Sequence, residues 1–459
     1  MQLPQAFTER MKPLLGNEWS AFLAAYDAPL RRGLRVNTAK ISAKEFCAIF
    51  PLPLTPSPFA SEAFYLDEPH KAGSDPLHHA GTYYMQEPSA TSAVTVLAPK
   101  PHEKILDLCA APGGKSTQIL AVLGDSGLLW SNEYVPSRAR ILEQNLERCG
   151  ARRQVISNND TAKLCSTLAD YFDAVLVDAP CSGEGMFRKE PQALTEWSLD
   201  NIRLCAARQT KILNNAARAV RPGGRLVYST CTFAPEENEA VIARFLADYP
   251  DFSLIPITAP WGTPAFNFDR IRSFCSTDTC TADLSGCRRI FPQHGGEGHF
   301  IALLQRNENA TANPPRAYTP PIKDANRDAA RELYAECFIS PPIGEFVTFG
   351  DCVRLLPPEL PDLTGLNILS AGIRVAEVCK NRLEPCHSAF LATNLAGCRR
   401  AVSLAPNDPH LFAFLHGEEL ALNSEKGWTA VGVGDLPVGF GKCVGGRLKN
   451  RYPKGLRLL

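Results

Sequence analysis

The chain has 459 residues, 45% hydrophobic and 21% charged, with 48 basic and 48 acidic side chains cancelling to zero. This supports a buried core and excludes a disordered or fibrous chain, and at ~150 residues per domain the length allows about three domains. No apolar run reaches the ~18 residues of a membrane span, the first residues (MQLPQAFTER) lack an export signal, and sixteen cysteines are too sparse for a disulfide scaffold, which implies free thiols in a reducing cytoplasm.

Residues 1–45 are basic, with seven positive and four negative side chains. The Pro-rich stretch Phe50 to Pro58 reads as a loop. From Pro101 onward, short apolar runs alternate with amphipathic segments. Strands are predicted at Ile105 to Cys109, Gly127 to Glu133, Arg153 to Asn158, Asp173 to Pro180, Arg225 to Cys231 and His299 to Arg306. Helices are predicted at Lys115 to Leu123, Ser137 to Cys149, Ala162 to Leu168, Glu236 to Tyr249 and, as one long element, Leu194 to Val220. Alternating strands and helices imply a parallel sheet covered on both faces, with ligands outside the carboxyl ends of the strands. The stretch Arg306 to Asn326, with four prolines and almost no large apolar side chain, reads as a linker. Further on, Trp428 to Gly446 is Gly-rich and strand-like.

The motifs fall at strand ends. Asp107 to Thr117 reads DLCAAPGGKST, and its small residues allow close approach of backbone to a ligand. Glu133, Asp160 and Asp178 close the next three strands, outlining a pocket for an adenosine-type group: an acid at Glu133 suits ribose hydroxyls, one at Asp160 an exocyclic amine. Gly114-Lys115-Ser116 also resembles the tail of a phosphate-binding P-loop, but that pattern needs Gly where Cys109 stands, and Pro112 removes a backbone donor. Two cysteines, Cys181 in DAPCSG and Cys231 in YSTCT, follow neighbouring apolar strands and would meet beside the pocket.

These strings carry a resemblance. YYMQEPSA (residues 83–90), DLCAAPGGKSTQ (107–118), DAPCSGEGMFR (178–188), YSTCTFAPEENE (228–239) and GFGKCVGGRLKNRYPKGLR (439–457) are similar to the Nop/Sun family of RNA cytosine-5 methyltransferases, over nearly the whole chain. The resemblance implies an α/β fold: a Rossmann-like class I methyltransferase core with a mostly parallel seven-stranded sheet over 101–306. Before it would come an N-terminal α+β RNA-contacting domain (1–100). A linker (307–326) and a mixed α/β RNA-binding region (327–459) ending in a PUA-like β-barrel would follow. It implies S-adenosyl-L-methionine as cofactor, held by Cys109, Ala110, Ala111, Pro112, Gly113, Gly114, Lys115, Glu133, Asp160 and Asp178. Cys231 would be the nucleophile on cytosine carbon 6, and Cys181 would assist product release. Asp178, protonated or bridged, would serve ring nitrogen 3, with Lys115 helping to place the base. Small-subunit ribosomal RNA is the expected partner of a cytoplasmic monomer; transfer RNA and, further off, nucleotide hydrolysis are the alternatives.

GLRVN is similar to the family's N-terminal RNA-contacting segment, so the resemblance implies RNA contacts from Arg35 and Asn37. The acid-free carboxyl end, with Lys442, Arg447, Lys449, Arg451 and Lys454 and Tyr452 among them, reads as a phosphate-contacting patch. Cys275, Cys280, Cys287 and His294 lack the short C-x2-C pair of common zinc sites, so no metal is expected.

Overall fold

The structure, a computed structural model, describes residues 3–274, 283–380, 382–422 and 425–458. Two amino-terminal helices, Gln5–Leu15 and Trp19–Asp27, bury Phe7 and Phe22 against Phe187, Phe233 and Phe291 of the central region. Then β1 (Arg32–Val36), β2 (Leu54–Pro56), β3 (Ala63–Leu66) and β4 (Tyr83–Met85) form an antiparallel sheet in the order β2-β3-β1-β4. The Pro-rich stretch expected as a loop thus supplies an edge strand, where a proline does not break a ladder hydrogen bond.

The central sheet is built from β5 (Lys104–Asp107), β6 (Leu128–Asn132), β7 (Gln154–Ser157), β8 (Phe172–Asp178) and β9 (Val220–Thr230), all mutually parallel. These runs are apolar on both faces because helices cover both. Leu106, Trp130, Val175 and Leu226 face one core, and Ile105, Leu129, Leu176 and Val227 face the other. Helices Gly114–Leu123 and Pro136–Arg148 cover the second face, and Leu199–Ala219 and Glu239–Asp248 the first. The long helix expected from residue 194 is interrupted after the short helix Pro191–Glu196. The Ser198 side chain accepts the Asn201 amide (3.1 Å) and so caps a new helix.

Antiparallel strands extend the sheet beyond the seven expected. β10 (Phe252–Ile255), β11 (Thr263–Pro264), β12 (Arg288–Ile290) and β13 (His299–Arg306) lie past β9, with β13 directly beside it. After β14 (Glu345–Phe349) and β15 (Cys352–Leu356) comes β16 (Ile368–Ala371), which returns to pair with β7. The order is β11-β12-β13-β9-β8-β5-β6-β7-β16, with β10 also on β13, ten strands in all. The carboxyl-terminal region is therefore knitted into the catalytic sheet. Residues 307–326 hold no helix or strand of their own. They are nevertheless tied down: the Tyr318 amide donates to Leu360 O and the Asp362 amide to Arg316 O, both at 2.8 Å.

β17 (Ile373–Cys379) and β18 (Arg382–Pro385) join β14 and β15 in a second sheet. The last module comprises β19 (Ala401–Leu404), β20 (Leu420–Ala421), β21 (Gly427–Val433), β22 (Leu436–Val444) and β23 (Arg447–Asn450), in the order β19-β21-β22-β23-β20. Among the described residues no pairing joins β19 to β20, so the expected closed barrel is seen here as an open five-stranded sheet. It packs on the amino-terminal sheet through Phe414, Val431 and Tyr452, and the Tyr452 hydroxyl lies 2.6 Å from His79 Nδ1.

The joint between β16 and β17 turns on Gly372. Its φ is +61°, a Cβ there would stand 2.0 Å from Leu355 O, and its amide donates to Gln154 O (2.8 Å). Gly372→Ala is expected to cost at least about 1–3 kcal/mol in denaturant unfolding and to speed cleavage within 307–326 during limited proteolysis. An unchanged midpoint and cleavage pattern would show that the two regions do not depend on this joint.

Candidate active site

The chain after β5 turns sharply and is tied to both neighbouring strands: the Leu108 amide donates to Leu176 O and the Ala110 amide to Asn132 O, each at 2.9 Å. Gly113, at φ +115°, starts the helix Gly114–Leu123, whose first amides have no helical partner. Several loop carbonyls are held by side chains: Arg138 donates to Ala111 O (2.8 Å), Asn145 to Pro112 O (2.9 Å) and Arg35 to Gly114 O (3.1 Å). A Cβ on Gly114 would meet the Gln86 amide at 3.2 Å, so the loop is closely walled.

Carboxylates ring this loop. Asp107 Oδ2 accepts from Ser116 Oγ (2.7 Å), its buried Oδ1 has no partner, and burial lifts its pKa to about 7. Glu133 is buried at the end of β6, accepts the Val135 amide (2.9 Å) and lies 3.4 Å from Arg138. Asp160 is exposed and caps the helix Thr161–Thr167 through Oδ1, accepting the Ala162 and Lys163 amides at 2.9 and 3.3 Å. Cys109 is half-buried, and burial drives its thiol well above the ordinary range. An orphaned acid oxygen, unpaired amides at a helix start and a glycine turn closed to a Cβ fit a nucleoside-bearing cofactor.

Next to this loop, β8 and β9 end side by side. Asp178 pairs in register with Ser229, whose hydroxyl donates to Asp178 Oδ1 (2.7 Å), and Lys115 Nζ donates to Oδ2 (2.7 Å). Burial alone would raise the Asp178 pKa, but Lys115, His299 and the Ser229 hydrogen bond hold it below the usual carboxylate range. Burial would likewise lower Lys115, but Asp178 outweighs it and raises the ammonium. Of the two forms expected for Asp178, the resting site therefore favours the bridged, ionised one over the protonated one. Three residues on, Cys181 Sγ lies 3.3 Å from Cys231 Sγ, both half-buried. Its hydrogen bond to Cys231, and then burial, push the Cys181 thiol well above the ordinary range, so this sulfur keeps its proton. Lys115 is thus ion-paired, which leaves the phosphate-loop alternative without a free lysine.

The structure corrects two expected RNA contacts. Arg35 is 1% exposed and Asn37 3%. Arg35 donates to Gln86 Oε1 (3.0 Å), Gly114 O and Thr117 Oγ1 (2.6 Å), and Asn37 to Gly81 O (2.8 Å) and Cys149 O (3.0 Å). Arg35 braces the start of the helix Gly114–Leu123 and Asn37 the end of the helix Pro136–Arg148, both from within. At the other end, Arg447, Lys449, Arg451 and Lys454 are exposed, and Lys442 Nζ sits 4.6 Å from the Trp428 ring centroid, in register with Lys449. Arg451 is also paired with Glu384 (3.2 Å). Of the cysteine and histidine quartet, Cys287 is buried, His294 Nδ1 accepts the Phe291 amide (3.1 Å), and Cys275 and Cys280 lie outside the described residues.

Sequence reasoning missed Asp107, Gln86, Ser229, His299 and two buried glutamates, Glu184 and Glu237. All but His299 stand inside the matching strings, but their partners are fixed only by tertiary contact.

Residues 94–305 match the family model described as 16S rRNA methyltransferase RsmB/F. Residues 3–88 match the N-terminal domain of 16S rRNA methyltransferase RsmF, 332–395 its first C-terminal domain and 401–458 its PUA domain. The ribosomal RNA small subunit methyltransferase F of Vibrio cholerae serotype O1 is 33% identical over 477 residues, covering 99% of this chain and 98% of that protein. The protein of the same name from Erwinia tasmaniensis is 33% identical over 478 residues, covering 99% and 96%. Among solved structures, a methyltransferase homolog from Pyrococcus horikoshii is 30% identical with a TM-score of 0.58, covering 66% of this chain and 95% of that one. NSun6 from the same organism, solved with SFG, shares the fold at 23% identity and a TM-score of 0.55, covering 67% and 99%. With a relative matched from end to end, the chain belongs to the RsmB/F family of 16S rRNA methyltransferases, enzymes that depend on S-adenosylmethionine.

Proposed function

We propose that this enzyme methylates carbon 5 of a cytosine in small-subunit ribosomal RNA through a temporary bond between Cys231 and carbon 6. The observation that carries the reading is the pair of half-buried thiols, 3.3 Å apart, beside the Lys115–Asp178 ion pair. Residues 109–115 with Glu133, Asp160 and Asp178 would hold S-adenosylmethionine, which when bound supplies an electrophilic methyl group on a sulfonium.

Carbon 5 of cytosine is a weak nucleophile. A Cys231 thiolate adding to carbon 6 breaks the conjugation of the ring and makes carbon 5 enamine-like. Negative charge then builds toward ring nitrogen 3. We assign its stabilisation to Lys115, whose Nζ donates to Asp178 Oδ2, in a site where burial strengthens every such interaction. Once carbon 5 carries the methyl group, its proton leaves to a base and the Cys231–carbon 6 bond breaks. Sulfur suits both ends of this cycle, as a good nucleophile and a good leaving group. Cys181, which keeps its proton, donates its S–H to the departing thiolate and so eases release.

A base must leave its stack to reach strand-end thiols. We assign phosphate contact to Lys442, Arg447, Lys449, Arg451 and Lys454, which line β22, β23 and the chain end. The working units are then 1–100, 101–306 and 327–459, joined by 307–326, in a cytoplasmic monomer. The parallel strands β5 to β9 would be the centre of a class I core, and the last five strands would make the PUA-like module.

Cys231→Ala is expected to lower transfer of a labelled methyl group to RNA by roughly 10^3-fold or more while leaving cofactor affinity, read by calorimetry, unchanged. A variant with normal turnover would reject the nucleophile. Cys181→Ala is expected to stall at the bonded stage and yield a slow-migrating protein–RNA band on a denaturing gel. Reduced turnover with no such band would assign this thiol another role. Arg447→Ala with Lys449→Ala is expected to weaken binding about equally across RNA sequences and to flatten the salt dependence by about two phosphate contacts. An unchanged slope would move the phosphate track elsewhere.

A further inference from the structure

The two cysteine loops are laced into each other. The first loop runs from Pro180 to Phe187 and the second from Cys231 to Asn238. Glu184 of the first accepts from the second: its Oε2 takes the Phe233 amide (2.9 Å) and the Thr232 hydroxyl (3.0 Å), and its Oε1 takes the Trp197 indole N–H (2.9 Å). Glu237 of the second loop reaches back to the first: its Oε2 accepts the Ser182 amide (3.0 Å) and the Gln209 side-chain amide (2.7 Å), and its Oε1 contacts the Ser182 hydroxyl. Gln209 also donates to Pro180 O (3.0 Å), and the Gly185 amide to Cys231 O (2.8 Å). A Cβ on Gly185 would stand 2.9 Å from Cys231 O, so the loops could not lie closer with any other residue there.

The hydroxyls between the two acids settle where a proton sits. Ser182 Oγ lies 2.8 Å from Thr232 Oγ1, so Glu237, Ser182, Thr232 and Glu184 form a row of three oxygen–oxygen contacts. Ser182 and Thr232 bring only two hydroxyl protons between them. With both acids ionised, one contact would set lone pair against lone pair. Glu184 Oε2 already accepts an amide as well as a hydroxyl, whereas among the described residues Glu237 Oε1 has only the Ser182 hydroxyl as hydrogen-bond partner. The third proton therefore belongs on Glu237 Oε1, and the row runs Glu237 to Ser182 to Thr232 to Glu184. Burial, the largest effect on Glu237, together with neighbouring Glu184, raises its pKa to about 7. Burial raises Glu184 too, but there the Trp197, Thr232 and Phe233 hydrogen bonds and Arg10 oppose it, so the hydrogen-bond pairing decides between the two acids. Cys181, Cys205 and Tyr228 are the other titratable groups that feel Glu237.

We propose that Glu237, held as a neutral acid, and Glu184, held as a carboxylate, are positioning residues that lock the Cys181 and Cys231 thiols at contact distance. Their use in catalysis rests on the two-thiol reading above; the lock itself does not. The proton count makes the two acids unequal. A glutamine at 237 can donate to Ser182 from its NH2 and still accept from the Ser182 amide and Gln209. A leucine there can do neither.

The test uses the full chain without RNA. A diazene oxidant such as diamide takes two electrons and two protons from the thiol pair, and peptide mapping reads the Cys181–Cys231 disulfide as it forms. Glu237→Gln is expected to cross-link within about threefold of the wild-type rate, and Glu237→Leu at least about tenfold more slowly. Ser182→Ala, which cuts the row with less risk to folding, is expected to slow cross-linking as well, in protein shown folded by circular dichroism. With RNA and cofactor, Glu237→Leu or Ser182→Ala is expected to let the covalent adduct persist, a change that mere loss of stability would not produce. Wild-type cross-linking in both Glu237→Leu and Ser182→Ala overturns the lock. Cross-linking as slow in Glu237→Gln as in Glu237→Leu overturns the neutral acid. Slow cross-linking with normal adduct release supports the lock and instead rejects Cys181 as the residue that eases release.

Discussion

Neighbouring parallel strands lie ~4.8 Å apart, and that spacing is what brings two thiols fifty residues apart in sequence into contact. β8 and β9 run in register to Asp178 and Ser229, and the Ala179 amide still pairs with Ser229 O (2.8 Å), so the ladder ends just before the two cysteines. Past that point nothing in a sheet dictates where a side chain goes. The loops must supply the constraint themselves, and buried carboxylates, Glu184 and Glu237, stand behind the paired thiols.

The cofactor loop faces the same difficulty and meets it with a different set of residues. Its glycines allow close approach, but glycine also leaves the backbone free to move. Arg35, Arg138 and Asn145 remove that freedom by donating to its carbonyls. Arg35 comes from β1, so the amino-terminal sheet is part of the wall of the loop proposed to hold the cofactor. Gly33 shows how closely this wall is fitted: a Cβ there would stand 2.4 Å from Pro88 Cγ, in the turn whose Glu87 accepts the Ser89 and Ala90 amides.

The parallel centre of the fold was legible in the sequence because doubly covered strands are apolar on both faces and stand out as short unbroken runs. The loop DLCAAPGGKST and the strand-end acids were legible for the same reason, since a topological switch point has a place in sequence as well as in space. The margins were not. β11, β12 and β16 are two to four residues long, too short to show a period, and β16 finds its partner β7 across more than two hundred residues. Arg35 misled for a physical reason too. The likeness of GLRVN to an RNA-contacting segment pointed outward, whereas in the fold the guanidinium is turned inward onto Gln86 Oε1, Gly114 O and Thr117 Oγ1. Glu184 and Glu237 were visible as letters in matching strings, but a hydroxyl row between two loops has no signature along one chain.

The joining of the carboxyl-terminal region to the sheet through β16 bears on how a target base would be selected. Phosphate contacts fix register and orientation but carry no sequence information. If the basic ribbon of β22 and β23 grips backbone, it chooses a target only by its distance and angle to the thiols. A flexible linker would leave that distance undefined. Here it is fixed twice: by β16 paired with β7 at one edge of the catalytic sheet, and by Tyr452 packed against His79 in the amino-terminal domain. On the proposed reading, a chain built this way would measure along folded RNA, and its target would be the base that this fixed span presents to Cys231.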